Sequence, residues 1–237
     1  MNSRRYFLIQ GSLATTAMLV LKPLKSFAGT VSNFTGIGSN HNKLVFLHTP
    51  NLNPLQEKHV INYINDLKNK NANTILLKAV PDKQSEMASL HYDASVHECN
   101  ELALINGGYK IIDNDNLRTG IINVSPGESN VIERTKKLAA YLKEQKNCSI
   151  VVCLSRLGYK NNNAPDDISL ANNSTDIDVI IGGHPENFHK NPVIALNSRN
   201  AEVIIHAASP GTVACGKIEI DFDGNGRKKQ ISFANYS

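Results

Sequence analysis

Ser149–Leu154 (SIVVCL) and Asp178–Ile181 (DVII) decide the fold class. Both are short, continuous, β-branched apolar runs bounded by polar residues, as strands buried on both faces require. Helical patterns precede them. Pro54–Asn69 places Val60, Ile61, Ile64 and Leu67 on one face. Ser125-Pro126-Gly127-Glu128 reads as a capping box with proline at the first helical position. It predicts a helix to about Gln145, with Val131, Leu138 and Leu142 inward. Lys43–His48 (KLVFLH), Thr74–Ala79 (TILLKA), Lys110–Asp113 and Gly120–Val124 read as further strands. A short strand is expected at Tyr92–His97, then a short helix ending near Gly107-Gly108. Val193–Leu196, Val203–Ala207, Lys217–Phe222 and Gln230–Phe233 are strands with no helix between them. The whole is α/β with a strand-rich C-terminal part.

The 237 residues are 41% hydrophobic and 19% charged, a globular balance that excludes a disordered chain or a coiled coil. The formal charge is +4, and Arg4, Arg5, Lys22 and Lys25 account for it, because residues 1–28 contain no acid. The remaining body is neutral and carries no electrostatic footprint for nucleic acid. Paired Arg4-Arg5 ahead of Phe7-Leu8, an apolar stretch Gly11–Leu21 and the small residues Ser26 and Ala28 predict a twin-arginine-type signal over 1–28. Cleavage is expected after Ala28, with a periplasmic body and residues 29–42 as a linker. The apolar stretch is shorter than the ~18 residues of a membrane span, so no span is expected once the signal is gone.

Of four cysteines, Cys148 and Cys153 flank one strand. Five extended steps of ~3.3 Å separate them by ~16 Å, beyond the ~7 Å reach of a disulfide. Cys153 reads as a core residue, and the disulfide status of Cys99, Cys148, Cys153 and Cys215 otherwise stays open. No C-x-x-C pair suggests zinc or redox chemistry. Asp221-Phe222-Asp223-Gly224-Asn225-Gly226 matches half of a calcium loop, but its twelfth position is Ser232, and a hairpin turn is the better reading.

Val151–Tyr159 (VVCLSRLGY), Leu170–Asn173 (LANN) leading to Asp176–His184 (DIDVIIGGH), and Val203–Ala207 with Gly216–Phe222 resemble, in order, segments of the bacterial 5′-nucleotidases. Leu44–Thr49 (LVFLHT) and Tyr92-Asp93-Ala94 with His97-Glu98 resemble their earlier segments. These proteins form a branch of the calcineurin-like metallophosphoesterases. The resemblance covers 43–236 and implies a four-layer αββα sandwich in one domain, with the site at the strand ends. It implies the catalytic domain alone, so no separate C-terminal nucleoside-binding domain is expected. In that family two divalent ions of the Mn, Zn or Mg type bridge the phosphate and activate a water.

Most of the ligands that the resemblance implies are replaced. The first motif, Asp-x-His, reads Asn51-Leu52-Asn53. Neutral amides bind divalent ions less strongly than carboxylate, and Asn53 before Pro54 suits a helix cap. The bridging Asp has only the displaced Asp82 near it, and the Asn-His-Glu motif reads Val96-His97-Glu98. His97 aligns with the catalytic histidine. Arg156 replaces a ligand histidine; a guanidinium cannot bind metal but can bind an anion. The Gly-His-x-His motif reads Gly183-His184-Pro185-Glu186, which leaves His184 as metal ligand and Glu186 as a substitute. The expectation is a non-catalytic protein that binds a phosphate- or nucleotide-like anion or a partner, with no cofactor. The alternative is a phosphoesterase working through an altered metal site.

Overall fold

The computed structural model describes residues 42–50, 54–80, 90–96, 108–114, 117–127, 129–161, 164–184, 186–187, 189, 191–207 and 214–236. Ser39–Ser237 forms one compact unit. Its strands are β1 (Lys43–His48), β2 (Thr74–Lys78), β3 (Ala94–Ser95), β4 (Tyr109–Asn114), β5 (Leu117–Val124), β6 (Ile150–Ser155), β7 (Val179–Gly182), β8 (Val193–Leu196), β9 (Glu202–Ala207), β10 (Cys215–Phe222) and β11 (Lys228–Tyr236). Its helices are α1 (Pro54–Lys70), α2 (Val131–Glu144) and α3 (Asp167–Asn173).

Two mixed sheets form, in the orders β11-β10-β1-β2-β3 and β4-β5-β6-β7-β9-β8. Strands β5, β6, β7 and β9 run parallel. Helix α2 connects β5 to β6 and α3 connects β6 to β7, as parallel neighbours require. Alternation along each strand assigns its side chains to layers. Leu44 and Phe46 of β1 face a central core that also holds Ile121, Val152, Leu154 and Ile181 of the other sheet. Val45 and Leu47 face outward onto Val60 and Ile64 of α1. On the far side, Val151 and Cys153 of β6 pack with Ala139 and Leu142 of α2 and Leu170 of α3. The order of layers is helix, sheet, sheet, helix, the expected four-layer αββα sandwich.

Two local expectations need correction. Helix α2 begins at Val131, not at Pro126. Gly127 takes the left-handed conformation (φ 86°), which an α-helix does not continue through. Asn130 is the N-cap, with no side-chain capping bond. The strand expected at Tyr92–His97 shrinks to Ala94–Ser95, because the Asp93 carboxylate accepts the Leu76 N–H (2.7 Å) that a longer ladder would use. Residues 100–107 of the expected helix lie outside the described residues, as do the signal, the linker up to 41, and Cys99. Helix α3 escaped the sequence reading, although Asp166 and Ser169 cap it reciprocally. The Asp223–Gly226 segment is a hairpin turn joining β10 to β11, with Asp223 Oδ1 accepting from the Asn225 and Arg227 N–H groups. Cys148, Cys153 and Cys215 are free and buried.

Candidate functional site

Parallel strands end together, and ligands in open α/β sheets bind outside their carboxyl ends. Here Val124 of β5, Ser155 of β6 and Gly182 of β7 stand in register. The residues just beyond them therefore share one rim. Arg156 follows β6 directly, and His184 lies two residues beyond β7. Both line a cavity of about 390 Å³, together with Pro126, Gly127 and Ser129 from the segment after β5.

Backbone hydrogen bonds fix this rim. The Arg156 N–H donates to Val124 O (2.9 Å) and the Gly183 N–H to Ser155 O (2.7 Å). The Tyr159 N–H donates to Asn187 O (2.9 Å), and the Asn187 side-chain amide returns to Lys160 O (2.9 Å). The two loops are thereby joined edge to edge. Beneath them, Ser155 donates its hydroxyl hydrogen to the buried Asp167 carboxylate and accepts the Leu157 N–H (3.2 Å). Burial pushes the Asp167 carboxyl up to about 7, against the opposing effect of the Ser155 bond. Asp166 caps α3 and also accepts the Asn161 N–H (2.6 Å), so the helix start anchors the Arg156 loop. A side chain at Gly183 would collide with the Ala79 backbone beyond β2, so glycine allows the two sheets' strand ends to meet.

His184 is half-buried. Its Nδ1 accepts the Asn187 N–H (2.9 Å) and the Glu186 N–H (3.2 Å). Glu186 itself is exposed and contributes to the ring through its backbone. Arg156 is half-buried, and among the described residues no carboxylate pairs with its guanidinium. Asn51, Asn53, Asp82 and His97 lie outside the described residues. The structure thus brings Arg156 and His184 to one cavity, with Glu186 behind the His184 ring.

The fit of this set to a divalent ion can be judged from its donors. Arg156 has no lone pair to give. A metal-bound histidine donates its other ring N–H to an acceptor. At His184 the second nitrogen instead receives two N–H groups. Among the described residues no three histidine, cysteine or acidic side chains gather as a metal site would need. The described donor set does not fit a two-ion centre.

The sequence reading missed a second polar cluster, deep between the sheets. His48 of β1 and His206 of β9 are each 1% exposed. His48 Nε2 lies 2.9 Å from His206 Nδ1, and His206 Nε2 lies 3.0 Å from Asn235 Oδ1 on β11. With the amide oxygen as acceptor, His206 carries its proton on Nε2 and accepts from His48. Burial holds His48 well below the ordinary imidazole range and brings His206 down to about 4. Both rings are neutral at pH 7. Lys78, 2% exposed at the end of β2, also escaped notice; its ammonium lies 5.2 Å from the Tyr92 ring centre. All three positions lie in continuous apolar runs that read as strands, and no local pattern marks their pairing.

No family model and no curated protein sequence matches the chain. Solved structures do. A 5′-nucleotidase precursor of Thermus thermophilus superposes with a TM-score of 0.58 at 18% identity, over 81% of this chain and 54% of its own. The NAD nucleotidase of Haemophilus influenzae gives 0.55 at 16% identity, over 80% and 49%. A hypothetical protein, also of Thermus thermophilus, gives 0.53 at 10% identity, over 82% of this chain and 98% of its own. The chain spans about half the length of the two nucleotidases. At these identities the likeness is one of fold: the chain has the metallophosphoesterase-type sandwich of the 5′-nucleotidases.

Proposed function

We propose that this protein is an exported, non-hydrolytic relative of the 5′-nucleotidases that binds an anionic ligand at the carboxyl ends of β5, β6 and β7. One observation carries this reading: a guanidinium without a carboxylate partner among the described residues shares the strand-end cavity with His184. Two-ion hydrolysis needs several anionic and imidazole ligands converging on each metal. Arg156 brings a positive charge where the resemblance implies a ligand, and that charge repels a divalent cation and attracts an oxyanion. Export rests on the Arg4-Arg5 leader and the small residues before position 29.

The test is hydrolysis of adenosine monophosphate and of a chromogenic phosphate ester, with and without manganese. No metal-stimulated turnover is expected from the natural protein or from Arg156→His, because one recovered ligand leaves the first-motif Asp and His still replaced. Metal-dependent turnover by the natural protein would establish the alternative, a phosphoesterase with an altered site.

A further inference from the structure

Two backbone N–H groups converge on His184 Nδ1, from Asn187 at 2.9 Å and from Glu186 at 3.2 Å. A backbone N–H only donates, so neither contact can reverse. Nδ1 is therefore the acceptor, and the ring proton sits on Nε2. His184 can offer a ligand one hydrogen-bond donor and no lone pair. Arg156 offers donors only. Ser129 and Asn161 complete the polar lining, and the two donor-only groups, one of them charged, favour an acceptor of negative charge, which describes an oxyanion.

Charge narrows the class. The described lining of the 390 Å³ cavity contains one charged side chain, Arg156, and no carboxylate. One positive charge balances one negative charge. A carboxylate has that charge at pH 7, whereas a phosphate monoester carries about −1.5 to −2 and would leave the excess uncompensated. The guanidinium fork also matches a carboxylate in two parallel bonds. The rest of the wall is largely apolar: Pro126, Val131, Leu157, Ala164 and Pro165. The volume is within the range of small-molecule sites, roughly 300–1,000 Å³. Because the Arg156 and His184 loops are tied to each other through Tyr159 and Asn187, little ordering remains to be done on binding.

We infer that this cavity binds a monocarboxylate carried on a small apolar body, held by the Arg156 guanidinium and the His184 Nε2–H. The inference rests on the non-hydrolytic reading above and names the ligand class for the same site.

The experiment is calorimetric titration of the full chain with 3-phenylpropionate, inorganic phosphate and adenosine monophosphate at matched ionic strength. 3-Phenylpropionate should bind at least about tenfold more tightly than phosphate, and Arg156→Gln should weaken it by about tenfold or more, as loss of a charge-assisted pair implies. Arg156→Lys keeps the charge without the fork and should recover only part of that loss. Phosphate or the nucleotide binding as tightly as the carboxylate would overturn the inference while leaving anion binding intact. Absence of carboxylate binding, or binding unchanged in Arg156→Gln, would also overturn it. Manganese-dependent hydrolysis would instead remove the reading beneath it. Nitrogen-15 spectra of the histidine rings give a check that needs no variant: His184 should carry its proton on Nε2, and a proton on Nδ1 would contradict the site.

Discussion

His48 and His206 lie buried between the sheets, and His184 lies at the open ends of the strands. The three rings have the same chemistry and different partners. The interior pair bond each other, and His206 also bonds Asn235, which ties β1, β9 and β11 together. At His184 the backbone of the following turn claims one nitrogen and leaves the other a donor. Histidine at a strand end is therefore not a metal ligand by residue type. The hydrogen bond on its far nitrogen decides what the near one can do.

The largest separation between the regions should appear in stability. His206→Ala removes a buried ring and strips His48 of its partner, which should cost about 3–5 kcal/mol by cavity formation and an unpaired buried donor. His184→Ala and Arg156→Ala, at the half-exposed rim, should each cost no more than about 1 kcal/mol. Urea unfolding of the three variants measures this, and equal costs would erase the distinction. Gly183→Ala comes next. Its methyl group meets the Ala79 backbone, so the loop bearing His184 must shift, at a cost of about 1–3 kcal/mol. Anion affinity should fall with it.

The pH dependence divides the regions by sign. The interior histidines have lowered folded pKa values, His206 near 4. Between pH 6.5 and 4 the unfolded chain binds protons there that the folded chain refuses, so stability falls on acidification. The limit is about 1.4 kcal/mol per pH unit for each ring. Asp167 beneath the rim acts in the opposite direction. Its folded pKa is raised to about 7, so between pH 7 and 4 the folded chain holds a proton that the unfolded chain releases. This contribution makes the protein more stable as pH falls. Asp167→Asn should therefore steepen the acid loss by up to about 1.4 kcal/mol per pH unit, a change visible in melting temperatures from pH 7 to 5. A shallower loss would reverse the assignment. The smallest effect belongs to Asp166→Ala, which loses the α3 cap and the Asn161 bond and should lower stability in urea unfolding by about 1 kcal/mol.

The layers were legible because a buried strand writes a local signature. Ile150–Ser155 and Val179–Gly182 are buried throughout, so each reads as a continuous apolar run, and strand geometry then sends alternate residues to the two faces. The start of α2 was misread because a capping motif was followed by Gly127, whose backbone conformation outranks it. Helix α3 was missed because seven residues hold too little periodicity. Arg156 and His184 could be singled out from segments resembling a known family, yet their meeting depends on β6 and β7 being neighbours. The His48–His206 pair joins residues 158 positions apart, beyond any local pattern. The tautomer of His184 depends on the path of Glu186 and Asn187, which no side-chain identity specifies.

Metal content tests the central claim most directly. Native mass spectrometry of the full chain, purified without chelator and then supplied with manganese, counts ions per molecule. A strand-end site built from a guanidinium and a donor-only imidazole should leave the chain at its metal-free mass. Two retained ions per chain would contradict the account.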